Sequence, residues 1–268
     1  MAVKRITAEV PVEPFHLNQY SPGSLVMPIA KDIWGENGNQ WKSSFLIWKN
    51  HGYTNDGNLI IGYLELEQKR IQGKLVEISF IEKRIHSGGR ENMMEGKLVA
   101  DSSNRFAPVR WELSSHFVDN NGVVVPNLNF HQKAEVESDR MILINNGKRV
   151  SVDHEGNLQH EFSLIRSFYA PDFSASKPGS FLFLENALIS KSGHHLKEAA
   201  ELNQSLNGRK LKCILQTGYG INPIEYYLDE NNMLLAAISG FNAKIYNPEA
   251  AAVYREFSKN AIKFSSEE

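Results

Sequence analysis

Alternation along residues 108–117 places Arg110, Glu112, Ser114 and His116 on one face of a strand and Val109, Trp111, Leu113 and Phe117 on the other. An Arg, a Glu and a His spaced two and four residues apart could line a polar cleft as anion holder, acid and base. The same spacing also describes the wetted face of an antiparallel sheet. A second candidate is His86-Ser-Gly-Gly-Arg90, where a His and an Arg flank a Gly pair that could bend to meet a ligand or simply close a hairpin. A third is the aromatic set Tyr219, Tyr226, Tyr227, Phe241 and Tyr246, which suits either the mouth of a barrel or an ordinary core. Together these residues predict a ligand site at the open end of a barrel near Tyr219, Tyr226, Arg110 and His116, with Glu112 and His86 as further candidates.

Other reactive residue types offer less. His194-His195 reads as a solvated pair, because neighbours on a strand point to opposite faces. His154 and His160 lie near Asp153, Glu155 and Glu161, but their spacing matches no metal-site pattern, so no metal is expected. Cys213 shares parity with Leu211 and Leu215 and reads as a buried, inert thiol. The chain holds no G-x-x-x-x-G-K-[ST], H-E-x-x-H, C-x-x-C or G-x-S-x-G. Gly218-Tyr-Gly220 sits between strands as a turn, so no dinucleotide fingerprint is present and no cofactor is expected.

The elements that must carry these residues are hairpins. From Ser43 to Val152, and again from Gly208 to Gly240, period-two apolar segments alternate with turn residues. Ile60, Leu64 and Leu66 share one face, with Tyr63, Glu65 and Glu67 opposite; Val76, Ile78 and Phe80 share the next. Asn145-Asn146-Gly147 is the strongest hairpin signal, predicted to join 140–144 to 148–152 by a tight turn. Residues 1–40 carry Pro11, Pro14, Pro22 and Pro28 and read as an extended arm, with Trp34, Trp41 and Trp48 as its anchors. Between 154 and 207 strict alternation fades, which reads as an excursion from the sheet with a short helix near Phe181–Ser190. Asn247, Pro248 and Glu249 form a helix start, and a C-terminal helix is predicted over 247–268. The β domain itself spans 41–246.

The totals set the frame. With 268 residues and 41% hydrophobic content, one large β domain can bury a sizeable core. Twenty-nine basic against 31 acidic residues leave no basic footprint, so nucleic acid is not an expected partner. One cysteine forms no internal disulfide. No apolar stretch approaches the roughly 20 residues of a membrane-spanning helix. Residues 1–10 contain no apolar core of a signal peptide, which fits the cytoplasm unless a leader was removed upstream.

The closing β block has the form G-x-x-x-x-x-x-x-Q-x-G-x-G-x-x-P-x-x-Y-x-L-D, running from Gly208 through Gln216, Gly218, Gly220, Pro223, Tyr226 and Leu228 to Asp229. Earlier, Gly62-Tyr63-Leu-Glu-Leu66 opens a strand and Val109-Arg-Trp111-Glu follows a loop. These patterns resemble the bacterial envelope β-proteins of domain of unknown function 3108. They cover the two β blocks and leave out the arm and the C-terminal helix. The resemblance implies an open lipocalin- or LolA-like barrel and an exported, periplasmic or secreted bacterial protein; it brings no catalytic residues with it.

Taken together, the chain reads as a mostly β protein: an antiparallel barrel or deep half-barrel with a short helical excursion and a C-terminal helix. The expected function is non-enzymatic binding of a small apolar or amphipathic molecule, with the oligomeric state left open. The alternative is a carbohydrate-active or other small-molecule enzyme on a β-sandwich, using the Arg110, Glu112 and His116 face.

Overall fold

Hairpin follows hairpin because each apolar face needs a neighbouring strand and each turn has residues that tolerate reversal. The computed structural model describes residues 17, 20, 25–34, 40–50, 59–86, 90–119, 122–154, 157–175, 180–185 and 189–265. The expected turn at 51–58, the Gly pair after His86, the Asn120-Asn121 turn and nearly all of the proline-rich arm lie outside them.

The strands are β1 (Trp41–Lys49), β2 (Leu59–Gln72), β3 (Leu75–Ile85), β4 (Glu91–Asp101), β5 (Ala107–Val118), β6 (Phe130–Val136), β7 (Arg140–Asn145) and β8 (Lys148–Asp153). After them come β9 (Leu158–His160), β10 (Phe181–Glu185), β11 (Ile189–Glu198), β12 (Gln204–Leu206), β13 (Arg209–Thr217), β14 (Ile224–Leu228), β15 (Leu234–Ile238) and β16 (Asn242–Tyr246). Three helices accompany them: α1 (Ala30–Trp34), α2 (Glu161–Phe168) and α3 (Ala250–Ser265). One sheet runs β8-β7-β6-β5-β4-β3-β2-β1-β16-β15-β14-β13-β11-β10-β9, with β12 added beside β13. Every pairing on this path is antiparallel except β9 with β10.

The sheet curls around α2. Residues from strands far apart in the order meet this helix: Gln68 of β2 accepts from Arg166 Nε at 2.6 Å, Phe80 of β3 lies 4.5 Å from Phe162, and Tyr226 of β14 lies 4.7 Å from Phe168. Seven consecutive side chains, Phe162 to Phe168, are buried. The β9 edge turns inward, bringing the His160 ring 5.7 Å from Trp111 of β5. The result is a spiral, barrel-like sheet with a helix for its core.

Alternation is borne out where one face meets that core. Ile60, Leu64 and Leu66 are buried, as are Val76, Ile78 and Phe80. The Asn146-Gly147 turn joins β7 to β8, with Asn145 opposite Lys148 and φ of 47° and 82° at the two turn residues. Alternation fails in β14 and β15, buried along almost their whole length. There α2 covers one face, and Tyr227 on the other faces toward the arm: Gln204 Nε2 donates to Tyr227 Oη and its Oε1 accepts from Leu17 N. Trp41 and Trp48 are buried anchors, and Trp34 stacks on Arg166, 4.9 Å from its guanidinium. At the C-terminus Asn247 Oδ1 accepts from Glu249 N, capping α3, which packs on β2 through Tyr254 and Tyr63 at 5.6 Å.

Two expectations are corrected. The excursion does contain a short helix, but it is Glu161–Phe168; the expected helix near Phe181–Ser190 is instead strand β10 and the start of β11. Phe181, Phe183 and Leu184 are buried in a strand packed on both sides, and an unbroken apolar run there mimics a helix. His194 and His195 are not a solvated pair: His194 is fully buried between Phe181 and Phe183, whose rings lie 5.8 and 5.2 Å away, and only His195 is exposed.

Candidate functional site

The polar residues gathered inside the spiral come from α2 and from the inward parity of β3, β14 and β16. Glu161 opens α2, where a carboxylate is stabilised by the helix dipole. It pairs with Lys244 of β16; both side chains are only 12% exposed. In β3, Glu82 and Arg84 continue the inward parity of Ile78 and Phe80, and Arg84 Nε lies 2.7 Å from Glu82 Oε1. Tyr226 Oη donates to Gln216 Oε1 at 2.6 Å, and Gln216 Nε2 sits 2.9 Å from His194 Nδ1.

These groups bound a cavity of about 80 Å³ beside the first turn of α2. Its lining includes Arg84, Glu161, Phe183, Tyr226, Asn242 and Lys244. Its two cations are each held by a carboxylate, Arg84 by Glu82 and Lys244 by Glu161, and Ile165, Ile224 and Ala237 add an apolar wall. Ligand pockets for whole drug-sized molecules usually span about 300–1,000 Å³. This one has room for a small polar group only, because α2 fills the rest of the spiral.

The helix start beside the cavity is built around a histidine. His160 caps α2: its Nδ1 accepts from Phe162 N at 3.2 Å, while Ser163 Oγ accepts from His160 N at 3.3 Å. That assignment leaves the ring proton on Nε2, which has no hydrogen-bond partner among the described residues. Enclosed by Phe80, Trp111 and Phe162, the ring has its pKa pushed down to about 4 by burial.

The structure separates the residues expected to form one site. Tyr226 lines the cavity. Arg110 and Glu112 come together elsewhere, on the outer face of the sheet, in a shallow depression shared with Lys97, Lys133 and Glu135. Glu112 is bonded by Lys133 at 3.0 Å and His131 at 3.1 Å, and both hold its carboxyl below the usual range. His116 lies on that outer face opposite Met93. His86 is exposed at the end of β3 with its ring 5.3 Å from Phe117; burial of the ring and then Arg84 lower its pKa. Tyr219 stands exposed on the turn after β13. Arg84 and Lys244 were not among the expected residues, and His160 and Glu161 entered the sequence reading only as neighbours matching no metal-site pattern. The available signal was Glu82 and Arg84 on the core parity of a strand.

Ser239 Oγ is bonded to Asn242 O at 3.1 Å rather than to a base. Cys213 is buried on the opposite face of β13, opposite Tyr227, with its thiol pushed up to about 12 by burial. Among the described residues no group of three His, Cys, Asp or Glu side chains could hold a metal.

With this geometry in view, the chain is similar to a solved β-barrel-like protein of domain of unknown function DUF1849 from Brucella abortus. The TM-score is 0.51 at 9% identity, covering 77% of this chain and 94% of that one. That likeness shows a shared β-barrel-like fold. No family model and no curated protein matches the sequence. The expected resemblance therefore holds at the level of a barrel-like fold of unknown function, and membership of the 3108 group is not shown. No helix among the described residues is long and apolar enough to cross a membrane.

Proposed function

We propose that the protein is a non-enzymatic binding protein that takes an amphipathic small molecule by an anionic head, seated beside α2 while its apolar tail stays at the mouth. The observation that carries this reading is the cavity whose polar wall holds two little-exposed ion pairs, Arg84 with Glu82 and Lys244 with Glu161, next to an apolar wall. Charges so little exposed are costly to desolvate and persist where partners hold them. An anionic head entering beside them would share Arg84 with Glu82 and Lys244 with Glu161, and its charge-assisted hydrogen bonds would have to offset its own desolvation. A bacterial envelope setting belongs to the same proposal. The enzyme alternative loses support because Arg110 and Glu112 lie on the outer, solvated face, where Glu112 is already bonded by two neighbours.

The test is calorimetric titration with dodecanoate and with dodecylammonium. Dodecanoate should bind the parent and bind Tyr226→Ala and Lys244→Gln at least tenfold more weakly, with Arg110→Ala unchanged and far-ultraviolet circular dichroism intact. Preference for the amine, or loss only in Arg110→Ala, would overturn the assignment.

A further inference from the structure

Antiparallel order fixes which turns share an end of the sheet. The connections β1–β2, β3–β4, β5–β6, β7–β8, β13–β14 and β15–β16 fall at one end, the end where α2 begins and Lys244 meets Glu161. Leu59, Val123, Val124, Leu128, Tyr219 and Phe241 are exposed there. Tyr219 and Phe241 are 76% and 69% exposed, on turns whose backbones are pinned: Tyr219 N donates to Ser192 O and Phe241 O accepts from Asn50 N. These aromatic side chains are therefore presented from fixed positions.

Exposed cations stand at the same end among the described residues. Lys49, Arg90 and Lys148 are exposed at the ends of β1, β4 and β8. Of the described carboxylates nearby, Asp119 Oδ1 accepts from Val123 N, and Glu91 is paired with Lys83 at 2.7 Å and accepts from Tyr254 at 3.0 Å. Apolar tips ringed by cations complement a surface with an apolar interior and anionic heads.

We propose that this end of the spiral is a docking face for an anionic lipid surface, with Tyr219 and Phe241 entering the layer and Lys49, Arg90 and Lys148 meeting its head groups. The inference rests on the reading that an amphipathic ligand enters beside α2, since docking would set the cavity mouth against a layer of such molecules.

Co-sedimentation with phosphatidylglycerol/phosphatidylcholine vesicles, and with phosphatidylcholine alone, tests it on the full chain. The parent should bind the anionic vesicles and be released by about 0.5 M salt. The double variant Tyr219→Ser/Phe241→Ser should bind about tenfold more weakly. The charge variant Lys49→Glu/Lys148→Glu should fall similarly, while Ile71→Ser, near the end of β2 at the other end of the sheet, should match the parent. Dodecanoate titration of the same variants should be unchanged. Vesicle binding that is absent while dodecanoate still binds overturns the docking face alone; absent dodecanoate binding overturns the ligand reading. If ultracentrifugation shows self-association that the double variant abolishes, and vesicles never bind, the face joins copies of the chain and lipid docking is overturned.

Discussion

Acid should loosen the core helix through one residue, His160. Its ring is fully buried, accepts the Phe162 amide at Nδ1 and has no partner for Nε2 among the described residues, so a second proton has nowhere favourable to go. Burial lowers its pKa from 6.5 to about 4. Because the folded value is depressed, the unfolded chain binds more protons between those two values. Stability is therefore fully present above pH 6.5 and is lost as pH falls toward 4. Integrating the two titrations to pH 4 gives a loss of about 3 kcal/mol from this ring alone. Urea unfolding of the parent and of His160→Asn, followed from about pH 7 to about pH 4, reads the effect, since Asn keeps a cap acceptor but does not titrate. Asn forfeits the contacts with Phe80 and Trp111, so the variant should start less stable, and the gap should narrow by about 3 kcal/mol as the pH falls. His86 titrates in both proteins and cancels. Equal pH slopes in the two proteins would refute the reasoning.

Three further outcomes follow from local geometry. A Cβ at Gly96 would lie 2.6 Å from Phe80 Cζ and 2.4 Å from Glu112 O, so Gly96→Ala should cost about 1–3 kcal/mol in urea unfolding. Gly147 holds φ of +82° in open space, so Gly147→Val should cost about 1–2 kcal/mol through backbone strain, visible as an earlier denaturation midpoint, whereas Gly147→Asn should be milder. Cys213, buried with its thiol pushed up to about 12, should react with a thiol reagent only on unfolding; rapid labelling of the native protein contradicts its placement.

Much of the sheet was legible because β2, β3 and β5 each turn one face to the core and the other outward. Ile60, Leu64, Leu66 and Trp111 fall where alternation places them. The Asn146-Gly147 turn was legible for a local reason, the positive φ its residues tolerate. Strand β10 was not, because burial on both sides erases the polar half of its pattern. Nor was α2: Phe162, Leu164, Ile165 and Phe168 are enclosed by sheet on several sides, so the helix has no wetted face to reveal its period. The candidate cavity was the least legible feature, because Lys244 and Glu161 lie 83 residues apart and meet only when the sheet curls. Arg110 and Glu112 looked more promising because they share a strand, but spacing alone does not say which face of a sheet is concave.

The proposed seat of an anionic head is beside Arg84 and Lys244 at the start of α2. Its most direct test is nuclear magnetic resonance of the isotope-labelled protein with dodecanoate carrying ¹³C at the carboxyl carbon. Saturable shifts and ligand contacts are expected at Arg84, Glu161, Tyr226, Asn242 and Lys244. Shifts confined to Arg110, Glu112 and His116 on the outer face, or none at saturating ligand, would contradict it.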